Sequence, residues 1–133
     1  MRQLIYSSRF TALARQDIDL TLQQVVAKSI QNNRMVDVTG FLLARDGVFL
    51  QLLEGPARGI GDTFKRITAD DRHNDITVIA DTPADRRLFR QWNMAAAQQE
   101  GHQPRVLNAE SALLVLLRAA EQQLAQERQQ LIA

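Results

Sequence analysis

Apolar and polar positions along this chain change period several times, and each change marks an element. Leu4-Ile5-Tyr6-Ser7-Ser8 packs β-favouring residues together ahead of polar ground and predicts a short strand. Phe10 to Arg15 reads as a loop. Asp17 or Asp19 then caps a helix in which Ile18, Leu22, Val25, Val26 and Ile30 recur at helical spacing. Along the same helix Val25, Ser29 and Asn32 fall at i, i+4 and i+7, aligning an aliphatic group, a hydroxyl and an amide on one side. Asn32-Asn33 lies at its C-terminal end, where Asn tolerates left-handed backbone. Val38-Thr39-Gly40-Phe41-Leu42-Leu43-Ala44 predicts a second strand, and Arg45-Asp46-Gly47 carries the Asp-Gly signal of a tight hairpin. The third strand, within Gly47 to Pro56, is apolar enough to be central, yet Gln51 stands in its middle. A buried amide carries donors and an acceptor and is costly without partners, so either other side chains or a ligand must satisfy it. Ile60, Thr63, Phe64 and Ile67 predict a second helix from about Arg58 to Ala69, closed by Asp70-Asp71-Arg72-His73. Ile76 to Asp81 is a fourth strand by β-branched content, Pro83 to Arg87 turns the chain, and Phe89 to Ala95 predicts a short fifth strand.

The order β-α-β-β-α-β predicts an α+β, ferredoxin-like fold, with two helices side by side on one face of a mixed antiparallel sheet. Gly101-His102-Gln103-Pro104 is the one linker-like break, so residues 1–100 form the expected domain and residues 101–133 a linker with a C-terminal helix from Ser111. In that helix Leu113, Leu117, Ala120, Leu124 and Leu131 step by four, three, four and seven, a heptad seam. It either covers the sheet's second face or pairs with another copy.

Composition narrows the function more than it defines it. At 133 residues, 45% apolar and 23% charged, the chain suits one globular domain with a short appendage. A net charge of +1 with scattered Arg supplies no basic stripe for nucleic acid. The absence of cysteine excludes disulfides and thiolate chemistry, and His73 and His102 alone make no metal cluster, so redox chemistry would need a bound cofactor. No apolar run approaches a membrane span, which makes the cytoplasm the default compartment. Tyr6, Asn32-Asn33, Gln51 and Trp92-x-Met94 stand out because the expected fold brings them together, although each alone has an ordinary explanation in packing or capping. The adjacent carboxylates Asp70 and Asp71 and the lone His73 lack a nucleophile, and Glu54 reads as a hydrogen-bonding residue at a strand end.

Those residues in this order resemble the BLUF family of blue-light sensors that bind flavin. The resemblance covers residues 3 to about 97. It rests on Leu4-Ile5-Tyr6-Ser7-Ser8, Asn32-Asn33 with Val38-Thr39-Gly40, Phe49 to Pro56, Ile67 with Asp70-Asp71-Arg72-His73, and Arg87-x-Phe89-x-x-Trp92-x-Met94. It implies FAD bound noncovalently between the two helices, with Val25 and Ile67 as walls. It also implies Asn33 at the ring N3–H and C4=O, Asn32 at the ring or phosphate side, Arg72 at C2=O, and Asp70, His73 and Ser29 on the remainder. The photoactive unit it implies is Tyr6, Gln51 and the flavin. Light-driven electron and proton transfer from Tyr6 and a rearrangement of the Gln51 amide would yield a red-shifted state, read out through Trp92, Met94 and the C-terminal helix.

Two departures accompany the resemblance. Asp37 stands where the family usually has Gly, so the turn after the first helix is open to a different geometry. No catalytic unit follows residue 97, so the expectation is a short, stand-alone sensor without turnover, signalling through a protein surface to an unknown partner and forming a homo-oligomer. The competing readings are a cofactor-free oligomerisation or regulatory domain, in which Gln51, Tyr6 and Asn33 satisfy one another, and an RNA-binding module using Phe41 and Phe49.

Overall fold

The protein's structure, a computed structural model, describes residues 1–99 and 108–132. The expected break at Gly101-His102-Gln103-Pro104 lies outside the described residues. The elements are β1 (Arg2–Phe10), α1 (Ala12–Gln16), α2 (Ile18–Met35), β2 (Thr39–Arg45), β3 (Val48–Gly55), α3 (Ala57–Thr68), β4 (His73–Pro83), β5 (Ala95–Gln99) and α4 (Ala109–Ile132). They form one five-stranded sheet in the order β4-β1-β3-β2-β5. The first four strands are antiparallel neighbours, and β5 runs parallel to β2. This is the ferredoxin-like arrangement with one added edge strand.

Alternation along β2 and β3 divides the core in two. Leu42, Ala44, Phe49 and Leu53 join a cluster with Leu22 and Ile60, on the face carrying α2 and α3. Phe41, Leu43, Leu50 and Leu52 point to the other face, where Ala112, Leu116, Ala119 and Ala120 of α4 cover them. Strands buried on both faces lose the polar-out pattern, and for that reason β2 and β3 read as continuous apolar runs. The hairpin forms as its Asp-Gly signal requires: Asp46 and Gly47 both take left-handed φ, 52° and 77°, the geometry of a two-residue turn matched to strand twist.

Several sequence expectations need correction. The stretch expected as a loop from Phe10 to Arg15 contains α1, whereas the expected α2 cap is present: of the two candidates it is Asp17, accepting from the Leu20 amide at 3.0 Å. Asn32 and Asn33 lie inside the last turn of α2 instead of ending it; the left-handed residue after the helix is Asp37, with φ 60°. Asp37 thus adopts the backbone that glycine favours, and Arg87 holds it there by donating to its carbonyl at 2.7 Å and pairing with its carboxylate at 3.1 Å. The fifth strand is Ala95–Gln99 and not Phe89 to Ala95. Glu54, fully buried, accepts from the Leu88 amide at 2.7 Å and the Phe89 amide at 2.6 Å, and the Trp92 amide closes a turn onto the Phe89 carbonyl. Backbone amides captured by a carboxylate are withdrawn from any strand ladder. In α4 the dry face is Ala112, Leu116, Ala119 and Ala120, offset from the expected seam, and Leu131 at its far end is 87% exposed. Of the two roles open to this helix, covering the sheet is the one its first turns perform.

Candidate functional site

α2 and α3 lie over the sheet and leave a cleft between them, lined by apolar side chains and a few convergent polar groups, the make-up of a small-molecule site. Eleven of the twelve expected site residues line it: Tyr6, Val25, Ser29, Asn32, Asn33, Gln51, Ile67, Asp70, Arg72, His73 and Met94 are joined there by Leu42, Phe49, Thr63, Lys28 and Arg66, so that the expected set less Trp92 is brought together in one place.

 Trp92 is the exception. Its ring packs 5.6 Å from Phe41 and 6.3 Å from Phe89, on the α4 side of the sheet.

Strand register explains why distant residues meet. Tyr6 on β1 and Leu42 on β2 both stand directly opposite Gln51 on β3, so the three side chains share the helix-facing surface. The Tyr6 hydroxyl donates to Gln51 Oε1 in a short hydrogen bond, and Gln51 Nε2 donates to Met94 Sδ at 3.3 Å. Gln51 is 3% exposed, so its amide is held at one end by a strong partner and at the other by a weak sulfur acceptor. Burial, and then the Asp70 charge, push the Tyr6 phenol far above its ordinary pKa, which keeps the proton on the hydroxyl. Phe64 packs edge-on against the Tyr6 ring at 5.6 Å.

Around this pair several of the other polar groups are tied down. Asn33 donates to the Asn93 carbonyl at 2.8 Å, and Asn93 donates to the Val38 carbonyl at 3.1 Å, fixing the approach to Met94. His73 meets the Ile67 carbonyl through Nε2 at 2.6 Å and Ser8 Oγ through Nδ1 at 2.7 Å. A carbonyl only accepts, so Nε2 carries a proton. Asp70 receives both the Arg72 backbone amide and its guanidinium. Burial works against ionisation of Asp70, but the Arg72 hydrogen bonds outweigh it and hold the carboxyl below its usual range; the same contact raises the Arg72 pKa. Glu54 is a structural residue, as its sequence position suggests: it also accepts from the Thr39 hydroxyl at 3.0 Å.

The cleft suits a flat ring with one polar half. Val25, Ile67, Leu42 and Phe49 supply apolar surface, while Asn32, Asn33 and Gln51 supply amides. Thr63 Oγ1 is buried and has no partner among the described residues, an unmet donor on the wall of the site. Leu42, Phe49, Thr63, Lys28 and Arg66 were not singled out as site residues from sequence. Helical spacing from Ile67 would have found Thr63 four residues before it and, from Thr63, Arg66 at i+3, and spacing from Val25 would have found Lys28 at i+3. Phe41 and Phe49 are 0% and 4% exposed, so neither offers a surface for stacking RNA bases. Among the described residues no cluster of metal-ligating side chains occurs, and no helix is long and apolar enough to cross a membrane.

Comparison with known proteins adds to this geometry. The subunit beta of a photoactivated adenylate cyclase from Euglena gracilis is 32% identical over 82 residues, 61% of this chain and 10% of that one. The chain spans only about a tenth of the length of the first curated relatives it matches. BlrB, a BLUF protein in its dark state, superimposes with a TM-score of 0.67 at 31% identity, covering 73% of this chain and 71% of that one. The photo-activated state of BlsA reaches a TM-score of 0.78 over 89% of this chain and 93% of that one, a likeness of fold at 22% identity. The family model described as sensors of blue-light using FAD matches residues 1–95, and the chain therefore belongs to the BLUF family of flavin-binding blue-light sensors.

Proposed function

We propose that this protein binds FAD noncovalently in the cleft between α2 and α3 and works as a light-driven switch without chemical turnover. The observation that carries the reading is the Tyr6–Gln51–Met94 chain at the base of that cleft. A bound flavin supplies absorption of blue light and an excited state able to accept an electron. Tyr6 supplies a protonated phenol, the only one in the chain, already bonded to the Gln51 amide. Gln51 has an acceptor end and a donor end, so turning its amide, or tautomerising it, exchanges the groups presented to Tyr6 and to the cleft. The contact from Gln51 to the Met94 sulfur is weak, which lowers the cost of giving it up. Met94 directly precedes β5, so a change at Gln51 has a short route to the sheet edge beside β2. From there the signal would leave through a protein–protein surface, with a change of oligomeric state as one form of output.

His73 is a poor candidate for acid–base catalysis because both ring nitrogens are engaged. The test is to load the purified protein with FAD and illuminate it with blue light. The expected outcome is a reversible red shift of the flavin absorption. Gln51→Leu should retain the yellow cofactor and lose the shift, and Tyr6→Phe should remove the photocycle. A red shift that survives Gln51→Leu would place the switch elsewhere. Sizing in darkness and in light then reads out assembly.

A further inference from the structure

We propose that Thr63 is a flavin-contacting residue, its hydroxyl donating to a carbonyl oxygen on the pyrimidine half of the ring; the inference rests on the flavin reading of the cleft. Thr63 is 4% exposed and lines the cleft. Its Oγ1 is the one buried side-chain nitrogen or oxygen without a hydrogen-bond partner among the described residues. A threonine inside a helix ordinarily returns its hydroxyl to a carbonyl of the preceding turn. Thr63 does not, so its donor remains available to whatever fills the site.

Position decides which part of the ligand it meets. Gly59, four residues earlier on the same side of α3, lies so close to the Val36 carbonyl that a Cβ there would collide with it. The first turn of α3 is thereby pressed against the end of α2, and Thr63 stands one turn further along, level with the last turn of α2 that carries Asn32 and Asn33. Arg66 and Ile67 continue the same stripe at i+3 and i+4, and Asp70, just beyond the helix end, also lines the cleft. The polar atoms of a flavin ring, including both carbonyls, belong to its pyrimidine and central portions, and the other end is a dimethylbenzene. A hydroxyl at the amide end of the cleft therefore faces the carbonyl-bearing half.

The test compares Thr63→Val with wild type. Valine keeps the shape and removes the hydroxyl, so the protein without flavin should melt higher, because an unmet buried polar group is gone. The FAD dissociation constant should rise about three- to tenfold. With FAD carrying ¹³C at its ring carbonyls, the infrared carbonyl band should move to higher frequency, and Thr63→Ser should restore both affinity and band position. Unchanged affinity and carbonyl bands in Thr63→Val overturn the proposal. A lower melting temperature without flavin also overturns it, since Oγ1 would then serve the fold, and Thr63→Ala repeats the comparison if the valine variant does not fold. Wild-type protein that takes up no FAD removes the flavin reading itself, a different failure from a wild type that binds and a variant that binds equally.

Discussion

Gln51 and Tyr6 show how one residue's chemistry is set by its burial. In water either side chain would exchange partners freely; in a dry strand each state of the amide must be satisfied locally, which separates its orientations into distinct arrangements. The tyrosine offers a direct check, because Tyr6 is the chain's only one. Burial raises its pKa above that of an unfolded tyrosine. Stability from the neutral phenol is then complete below the unfolded value of about 10 and is lost as pH rises beyond it. The expected outcome is that tyrosinate absorbance in the flavin-free protein appears together with unfolding. Tyrosinate forming while the circular dichroism stays native would contradict the burial of Tyr6. Asp37 illustrates the opposite case: its left-handed backbone looked like a departure in the sequence, yet the structure accommodates it through Arg87.

At the scale of elements, the segment from residue 84 to residue 94 decides where β5 begins. Arg87 donates to the Thr39 hydroxyl at 2.9 Å and to the Glu54 carbonyl at 3.1 Å, while the Glu54 carboxylate takes the amides of Leu88 and Phe89. Sequence alternation over Phe89 to Ala95 predicted a strand because periodicity does not register a carboxylate supplied from another strand. Glu54→Gln tests this arrangement. Its amide nitrogen would face a backbone donor, and an unmet buried pair costs on the order of 2 kcal/mol. Urea unfolding should show a correspondingly lower midpoint, and an unchanged midpoint would show that the carboxylate does not anchor the segment. The expected hairpin and the α2 cap depend only on neighbours in sequence, and both are found.

For the whole molecule, the two faces of one sheet divide the work: α2 and α3 make the cleft, and α4 closes the other side. Lys28 and Arg66 both line the cleft, and in the proposed FAD complex they would supply cations for the phosphates. Exposed charge contacts contribute up to about 1 kcal/mol each, so Lys28→Glu with Arg66→Glu should weaken FAD binding about tenfold at low salt. Riboflavin, which has no phosphate, should bind nearly as before; equal losses for both ligands would mean these cations do not serve the phosphates. Sequence by itself determined most of the element types and the hairpin, because these follow from local spacing and residue chemistry, and it indicated most of the cleft lining through the motifs that resemble the family. Only the tertiary structure decided that Trp92 lies on the α4 side, that β5 starts at Ala95, that α4 docks through Ala112, Leu116, Ala119 and Ala120, and that Thr63 keeps an unmet hydroxyl. Each of these depends on partners from separate elements, and such long-range competition for hydrogen bonds and apolar surface leaves no periodic mark in the chain.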